Sequence, residues 1–347
     1  MTKRAGKAAT LADVARKAGA STAVVSYVMN NGPRPVAPET RERVLAAAAE
    51  LNYRPNRVAR ALRSRTTGVV GLILASASNP YFGALARHIE QALDEREKLT
   101  LIGNADYSAN RQQHLADRFL AAQVDGLVIV SADGAADVAV EARAAGVPTV
   151  YVHNAPESPR TGRAFAVTAD NDAAVLEAVS HLRTHGHTRI AFLAGPDDAG
   201  PVGRRRAAWE TALSGTASPL LRCAYSRAAA SALTRQLINE DAMPSALITG
   251  SDEQAIGVLA AAHAAGVPVP GRLAVVSLDG TPDSAYTAPA LTVTEQPLRS
   301  MAQQAVDLLL DGTSPRPAAQ AGLVLRHSCG CSPAQQSGPV AGARDRR

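Results

Sequence analysis

One stretch limits the folds open to this chain more than any other: Leu11 to Asn30, LADVARKAGASTAVVSYVMN. Leu11, Val14, Ala15 and Ala18 fall at helical spacing, Gly19 breaks the run, and Val24, Val25 and Val28 resume the period behind Ser21. Serine is a residue type that caps helix N-termini through its hydroxyl. Two short helices joined by a tight glycine turn are therefore expected. Ala15 is small where the helices cross, Gly19 can take the positive φ of the turn, and Val25 fills the angle between them. The combination reads as a helix-turn-helix, with Thr22, Ala23, Ser26 and Tyr27 on the face of the second helix that would meet a major groove.

The next residues support that reading. Val36 to Leu51 predicts a third amphipathic helix, with Pro38 in its first turn and Val44, Leu45, Ala48 and Leu51 on one face. Three helices can enclose one small core. In Asn52 to Arg65, NYRPNRVARALRSR, Pro55 breaks the chain and the following residues are basic, with Val58, Ala59 and Leu62 on one side. A helix of that length is marginal in isolation.

The motifs TLADVARKAGAS (Thr10 to Ser21), VSYVMN (Val25 to Asn30), TRERV (Thr40 to Val44) and LNYRPNRVARAL (Leu51 to Leu62) stand in the order and spacing of the lac/galactose repressor family of bacterial transcription regulators, and the chain closely resembles that family to about residue 328. The resemblance implies an N-terminal all-α helix-turn-helix domain followed by a bilobal α/β effector domain of the periplasmic-binding-protein type, with two open parallel sheets. The expected boundaries are 1–55 for the DNA-binding domain, 56–67 for a hinge helix and linker, 68–332 for the effector-binding and dimerisation domain, and 333–347 for a disordered tail.

Charge is distributed accordingly. Residues 1–67 hold 13 Lys and Arg against 4 Asp and Glu, a net +9, while the rest of the 347-residue chain holds 23 against 27. A basic reader of DNA joined to an acidic remainder is what such segregation implies. The N-terminal MTKRAGKAAT has no apolar h-region, and no stretch approaches the roughly twenty apolar residues that cross a bilayer. A cytoplasmic protein with no membrane partner is expected. Three cysteines are too few for a disulfide framework. Cys329 and Cys331 together with His327 lack a complete metal-ligand set, His181, His185 and His187 read as structural, and no metal or cofactor is expected.

From Gly68 the pattern changes. VVGLILA (69–75), TLIG (100–103), GLVIVS (126–131) and VPTVYVH (147–153) are apolar runs alternating with helical segments, and RIAFLAG (189–195), LLRCAY (220–225), SALITG (245–250) and LAVVSLD (273–279) repeat the alternation. Buried parallel strands covered on both faces follow. Two such units in series imply two lobes, with a ligand pocket beyond the carboxyl ends of the strands.

Polar and aromatic residues collect at those strand ends: Asn79, Tyr81, Phe82, His153, Asn154, Arg205, Tyr225, Ser251, Asp279 and Gln296. Such a set suits a small polar, polyhydroxylated ligand held by aromatic faces and charged hydrogen bonds, and the resemblance implies effector contacts at the same positions. Sugar-binding relatives commonly carry an Asp-Arg pair where this chain has His153-Asn154, and Asn where it has Ser251, so the resemblance leaves the identity of the effector open.

In the N-terminal domain the resemblance implies base contacts by Thr22, Ala23 and Tyr27. Thr and Ala offer methyl contacts to thymine, and Tyr can make one hydrogen bond while packing its ring. Ser21, Ser26, Asn30, Thr40, Tyr53 and Asn56 suit phosphate contacts, with Thr10 and Leu11 in the same DNA-binding set. Leu62 is the expected wedge in the minor groove, and Ala59 is small enough for two hinge helices to pair. The function implied is a sequence-specific regulator, a repressor in the first instance, binding a near-palindromic operator in double-stranded DNA as a homodimer under control of a small effector, a sugar or similar. The competing reading, a small-molecule-binding protein of the periplasmic type, requires a signal peptide and leaves residues 10–62 without a role. An enzyme is not indicated, because neither a GxSxG elbow nor a GxxxxGK[ST] loop is present.

Overall fold

A glycine in the left-handed region sets the first corner of the chain. In the computed structural model, which describes residues 9–30, 32, 34–54, 61, 66–130, 138–154, 165–198, 200–312 and 320–331, helix α1 (Leu11–Ala18) ends at Gly19 with φ 62°. α1 starts at a reciprocal cap: Asp13 N donates to Thr10 Oγ1 at 3.3 Å, and Thr10 N donates to Asp13 Oδ2 at 3.0 Å. Helix α2 (Thr22–Met29) starts at Ser21, whose hydroxyl accepts from Val24 N at 3.2 Å. Helix α3 (Pro38–Glu50) has proline in its first turn, where the missing N–H costs nothing.

The three helices bury Val14, Ala15, Ala18, Val25, Val28, Val44, Ala47 and Ala48 against one another, with Leu11, Leu51 and Tyr53 half-buried at the margin. One expectation is corrected here. Leu45 is 45% exposed and Ala47 takes its place in the core, because positions 44, 47, 48 and 51 share a stripe from which 45 is rotated by about 100°. The hinge residues Asn56, Ala59 and Leu62 and the tail from residue 333 lie outside the described residues.

The chain divides into two compact units, Met1–Thr67 and Gly68–Arg347. The second contains two sheets. The first sheet has the order β2-β1-β3-β4-β5, formed by Leu99–Asn104, Val69–Leu74, Gly126–Ile129, Thr149–Val152 and Phe165–Val167, and its strand pairs are parallel. The second has the order β11-β10-β9-β8-β6-β7, formed by Gly322–Val324, Thr292–Glu295, Ala274–Ser277, Ala246–Thr249, Ile190–Ala194 and Leu220–Arg222, with only β11 antiparallel to its neighbour. The central strands are buried along their length, as their unbroken apolar runs require.

Helices cover both faces of each sheet. α4 (Pro80–Asp94), α5 (Ala109–Ala121) and α6 (Val138–Ala144) serve the first lobe; α7 (Asn171–Thr184), α8 (Gly200–Ala212), α9 (Arg227–Asn239) and α10 (Asp252–Ala264) serve the second. The lobes are not simply in series. After β10 the chain crosses back, and α11 (Leu298–Asp311) buries Met301, Ala302, Ala305, Val306 and Leu309 against Val70, Leu72 and Leu85 of the first lobe. Arg96 of the first lobe meets Asp307 of α11 at 3.3 Å. β11 then returns to the second sheet, so the polypeptide passes between the lobes three times.

Candidate nucleic-acid interface and effector pocket

The exposed face of α2 is formed by few atoms. Ser21, Thr22 and Ala23 are exposed, while Ser26, Tyr27 and Asn30 are half-buried. Val25 and Val28 point the other way into the core, which aims the opposite stripe outward. Asn30 Nδ2 donates to the Ser26 carbonyl at 2.8 Å and to its hydroxyl at 3.3 Å, so these two side chains form one polar unit at the end of the helix. The Tyr27 ring lies against Gly32, where an added Cβ would come within 2.5 Å of Cδ1, and the Arg34 guanidinium stands 6.0 Å from its centre. Thr10 is exposed as the cap of α1, Thr40 is half-buried in the first turn of α3, and Tyr53 packs on the core.

In the second unit a cavity lies at the carboxyl ends of strands from both sheets. Asn79, Tyr81, Phe82, His153, Asn154, Arg205, Tyr225, Ser251 and Asp279 line it, together with Tyr107, Ala75, Pro201 and Gly250. Gln296 is not among the lining residues: its Nε2 donates to the Leu278 carbonyl at 3.1 Å and braces the end of β9. The free space enclosed is about 50 Å³, room for a few water molecules.

Aromatic rings make most of its wall. Tyr81 and Phe82 meet edge-on at 5.2 Å, and Tyr81 Oη lies 2.9 Å from His153 Nδ1. Tyr107 of the first lobe and Tyr225 of the second stack across the cleft, with ring centres 6.3 Å apart. His153 (φ 69°) and Tyr107 (φ 56°) are both held in the left-handed region, a conformation uncommon for side-chain-bearing residues that tends to gather at functional sites. Tyr107 escaped the sequence reading because it stands three residues past the end of β2; the local sign was its place in ADYS, directly after a strand.

The polar residues divide by what they are already bonded to. Asn79 Oδ1 accepts from Tyr81 N at 3.0 Å as the cap of α4, while its Nδ2 donates to Tyr107 Oη at 3.3 Å. Ser251 caps α10 by accepting from Gln254 N at 3.3 Å. Arg205 Nε donates to Asn171 Oδ1 and its Nη1 to the Gly250 carbonyl, both at 2.8 Å. Its Nη2 is buried and has no hydrogen-bond partner among the described residues. Asp279 accepts from Asp252 N at 3.2 Å, and Asp252 is itself tied to Ser277, Gly280 and Thr281.

Burial controls the charge states. It pushes the Asp279 carboxyl up to about 7 against the pull of Arg205, with Asp252 adding to the rise. It also pushes His153 down to about 3, helped by Arg205, so the imidazole is neutral. The Tyr81 hydroxyl is raised by burial and by Asp279 and stays protonated. The cavity thus offers aromatic faces, neutral donors and acceptors, one cation with an open donor and one carboxyl able to change charge near neutrality. Such a set can orient hydroxyl groups.

These features have counterparts in known proteins. Residues 10–56 match the model of the bacterial regulatory proteins of the lacI family, and residues 179–329 match a periplasmic binding protein-like domain. Catabolite control protein A of Priestia megaterium is 34% identical over 307 residues, covering 86% of this chain and 91% of the relative. The HTH-type transcriptional regulator MalR of Streptomyces coelicolor is 34% identical over 350 residues, covering 95% and 99%. Among solved structures, the lac repressor dimer bound to operator and the anti-inducer ONPF aligns with a TM-score of 0.81 at 28% identity, covering 93% of this chain and 99% of that one. A transcriptional regulator CelR–cellobiose complex aligns at 0.66 and 27%. Other relatives are likewise named as HTH-type transcriptional regulators or repressors, and no described helix is long and apolar enough to cross a membrane. The chain belongs to the lacI family of bacterial regulatory proteins: it is a DNA-binding transcriptional regulator with an effector-binding domain, not an enzyme.

Proposed function

We propose that this protein is a cytoplasmic repressor that binds a near-palindromic operator as a homodimer and is switched by a small polyhydroxylated molecule, a sugar or a close analogue. Thr22, Ala23 and Tyr27 read base edges, and Ser21, Ser26, Asn30, Thr40, Tyr53, Asn56, Thr10 and Leu11 fix the register on phosphate and sugar. Leu62 wedges into the minor groove and Ala59 lets two hinge helices pair. The DNA-binding domain spans 1–55, the hinge and linker 56–67, the effector-binding and dimerisation domain 68–332 and the tail 333–347. The dimer is supported by the lac repressor dimer among the similar structures and by the exposed Leu99, Leu101 and Ile102 on edge strand β2.

The observation that carries the effector reading is the Arg205 guanidinium: buried, hydrogen-bonded on two sides, and with Nη2 left without a hydrogen-bond partner among the described residues, in a cavity walled by tyrosines. A buried unpaired donor is costly unless something arrives to accept from it. About 50 Å³ is far less than a monosaccharide occupies, so Tyr107 and Tyr225 unstack and the lobes part when it enters. Effector and operator then alter each other's affinity by one common factor, typically about five- to 150-fold.

Selection of bound sequences from a random duplex pool tests the DNA reading, with and without a panel of mono- and disaccharides. A near-palindrome whose enrichment changes with one sugar is the expected result. No enriched sequence under any condition would overturn it. Asp279→Ala is expected to keep operator binding and lose the sugar response; an unaltered response would remove the cavity as the effector site.

A further inference from the structure

The second lobe holds a cluster of four metal-binding side chains that the effector cavity does not use. His181 and His185 lie one turn apart at the end of α7, and Cys329 and Cys331 flank Gly330 near the end of the described chain. Cys331 Sγ lies 3.5 Å from Nε2 of His181 and 3.5 Å from Nε2 of His185, and the two thiols are 3.3 Å apart. All four donor atoms fall within 4.8 Å of one another. Tetrahedral zinc with two thiolates and two imidazoles separates sulfur from nitrogen by about 3.6 Å and sulfur from sulfur by about 3.8 Å. Small side-chain adjustments bring the present spacing to that geometry.

Along the sequence only His327 stands beside Cys329 and Cys331, an incomplete ligand set, and the fold brings other partners to them. His327 is exposed, and His187 Nδ1 is engaged with Ser245 Oγ at 3.1 Å. His181 and His185 come to the cysteines instead, from roughly 150 residues away in sequence. Two further features aim the cluster. Gly330 holds φ at 102°, which turns both thiols to one side, and an added Cβ there would lie 3.4 Å from His185 Nδ1. Thr292 Oγ1 donates to Cys329 Sγ at 3.0 Å, the outer-layer support that metal thiolates commonly receive.

We propose that His181, His185, Cys329 and Cys331 form a closed, structural site for zinc, or a like tetrahedral cation, that fastens the segment following β11 to α7. Four protein ligands fill a tetrahedron, which leaves no open coordination position for substrate, and both cysteines are buried. The attachment has mechanical sense, because Ser328 beside the site joins two strands: its hydroxyl donates to the Val275 carbonyl at 2.7 Å and accepts from Thr292 N at 2.8 Å. A cation here would lock the returning segment onto the second lobe after the crossings between lobes. The site stands apart from the DNA and effector readings and does not depend on either.

The test uses full-length protein purified under reducing conditions, with Cys223→Ser as background to remove the thiol outside the cluster. Zinc is added, excess is removed by gel filtration, and the metal is counted by mass spectrometry; cobalt is then substituted and its absorption recorded. One ion per chain, thiolate-to-cobalt charge transfer with tetrahedral d–d bands, and a melting temperature raised by zinc are expected. Cys329 is fully buried and its replacement disturbs packing, so His185→Gln, at a half-exposed position, is the deciding variant; it should fold normally and bind at least tenfold more weakly. Reduced protein that retains no metal, an octahedral cobalt spectrum, or equal binding by His185→Gln would each overturn the proposal.

Discussion

Arg205 Nη1 and Asp279 Oδ1 lie 3.6 Å apart, both on side chains almost wholly withdrawn from water. They are near enough to attract and too far apart for a hydrogen bond, and the guanidinium spends its direct donations on Asn171 and Gly250 instead. The pair therefore only partly offsets the cost of burying the carboxylate. A ligand hydroxyl that donates to Asp279 and accepts from Arg205 supplies what each lacks.

A pH dependence follows. Asp279 has its folded pKa raised to about 7 from an unfolded value of 3.8, so the folded state holds the proton more tightly. Stability from this group is then greatest at low pH and is lost as pH rises from about 4 to about 7, by about 4 kcal/mol as an upper bound. Asp279→Asn should flatten that slope. Urea unfolding of both proteins at pH 5 and pH 8 checks it; equal pH slopes would show that Asp279 ionises normally.

Replacing Arg205 by lysine keeps the charge and loses the fork. Lysine cannot reach Asn171 Oδ1 and the Gly250 carbonyl in the same planar arrangement, which leaves a buried acceptor unpaired. A loss of about 1–3 kcal/mol is expected, together with a loss of sugar response while operator binding survives. Chemical denaturation and calorimetric titration with the sugar found by selection measure the two effects.

At the corner of the helix-turn-helix, Gly19 has φ 62° and no atom of the described residues within 4 Å of where a Cβ would stand. Gly19→Ala should therefore cost only the backbone conformational penalty, about 1 kcal/mol, with no steric clash. Gly19→Asn should cost less, since Asn enters this region more readily. Thermal melts of the three proteins rank them; a larger loss for Asn than for Ala would mean the turn is limited by something other than φ.

Gly32 tests Tyr27 from the side. A methyl group at Gly32 would meet the Tyr27 ring at 2.5 Å and force it to turn. Gly32→Ala should shift the bases preferred in the operator while leaving the three-helix core, and hence the melting temperature, nearly unchanged. Repeating the random-pool selection reads this out; an identical consensus would mean that Tyr27 does not read bases.

Much of the molecule was legible because its signals are local. Val14, Ala15, Gly19, Val25 and Val28 sit within fifteen residues, and helical period with one glycine leaves few ways to pack them. The apolar runs of β1, β3, β4, β6, β8 and β9 likewise declared buried parallel strands, and eight of the cavity's lining residues follow strand ends, while Arg205 reaches it from α8. The alanine-rich α3 offers a weak stripe that does not set Leu45 apart from Ala47, and an aromatic that follows a strand, as Tyr107 does, has no pattern of its own.

By itself, then, the sequence determined the element types, the helix-turn-helix corner, the basic head and the family, since propensity, period and charge act over a few residues at a time. Tertiary structure alone decided that α11 returns to cover the first lobe, that Gln296 braces β9 while Tyr107 closes the cavity, and that His181 and His185 face Cys329 and Cys331. Those outcomes depend on which apolar faces find each other across the whole chain. No spacing along the sequence records that, because burial rewards proximity in space and is indifferent to distance along the polypeptide.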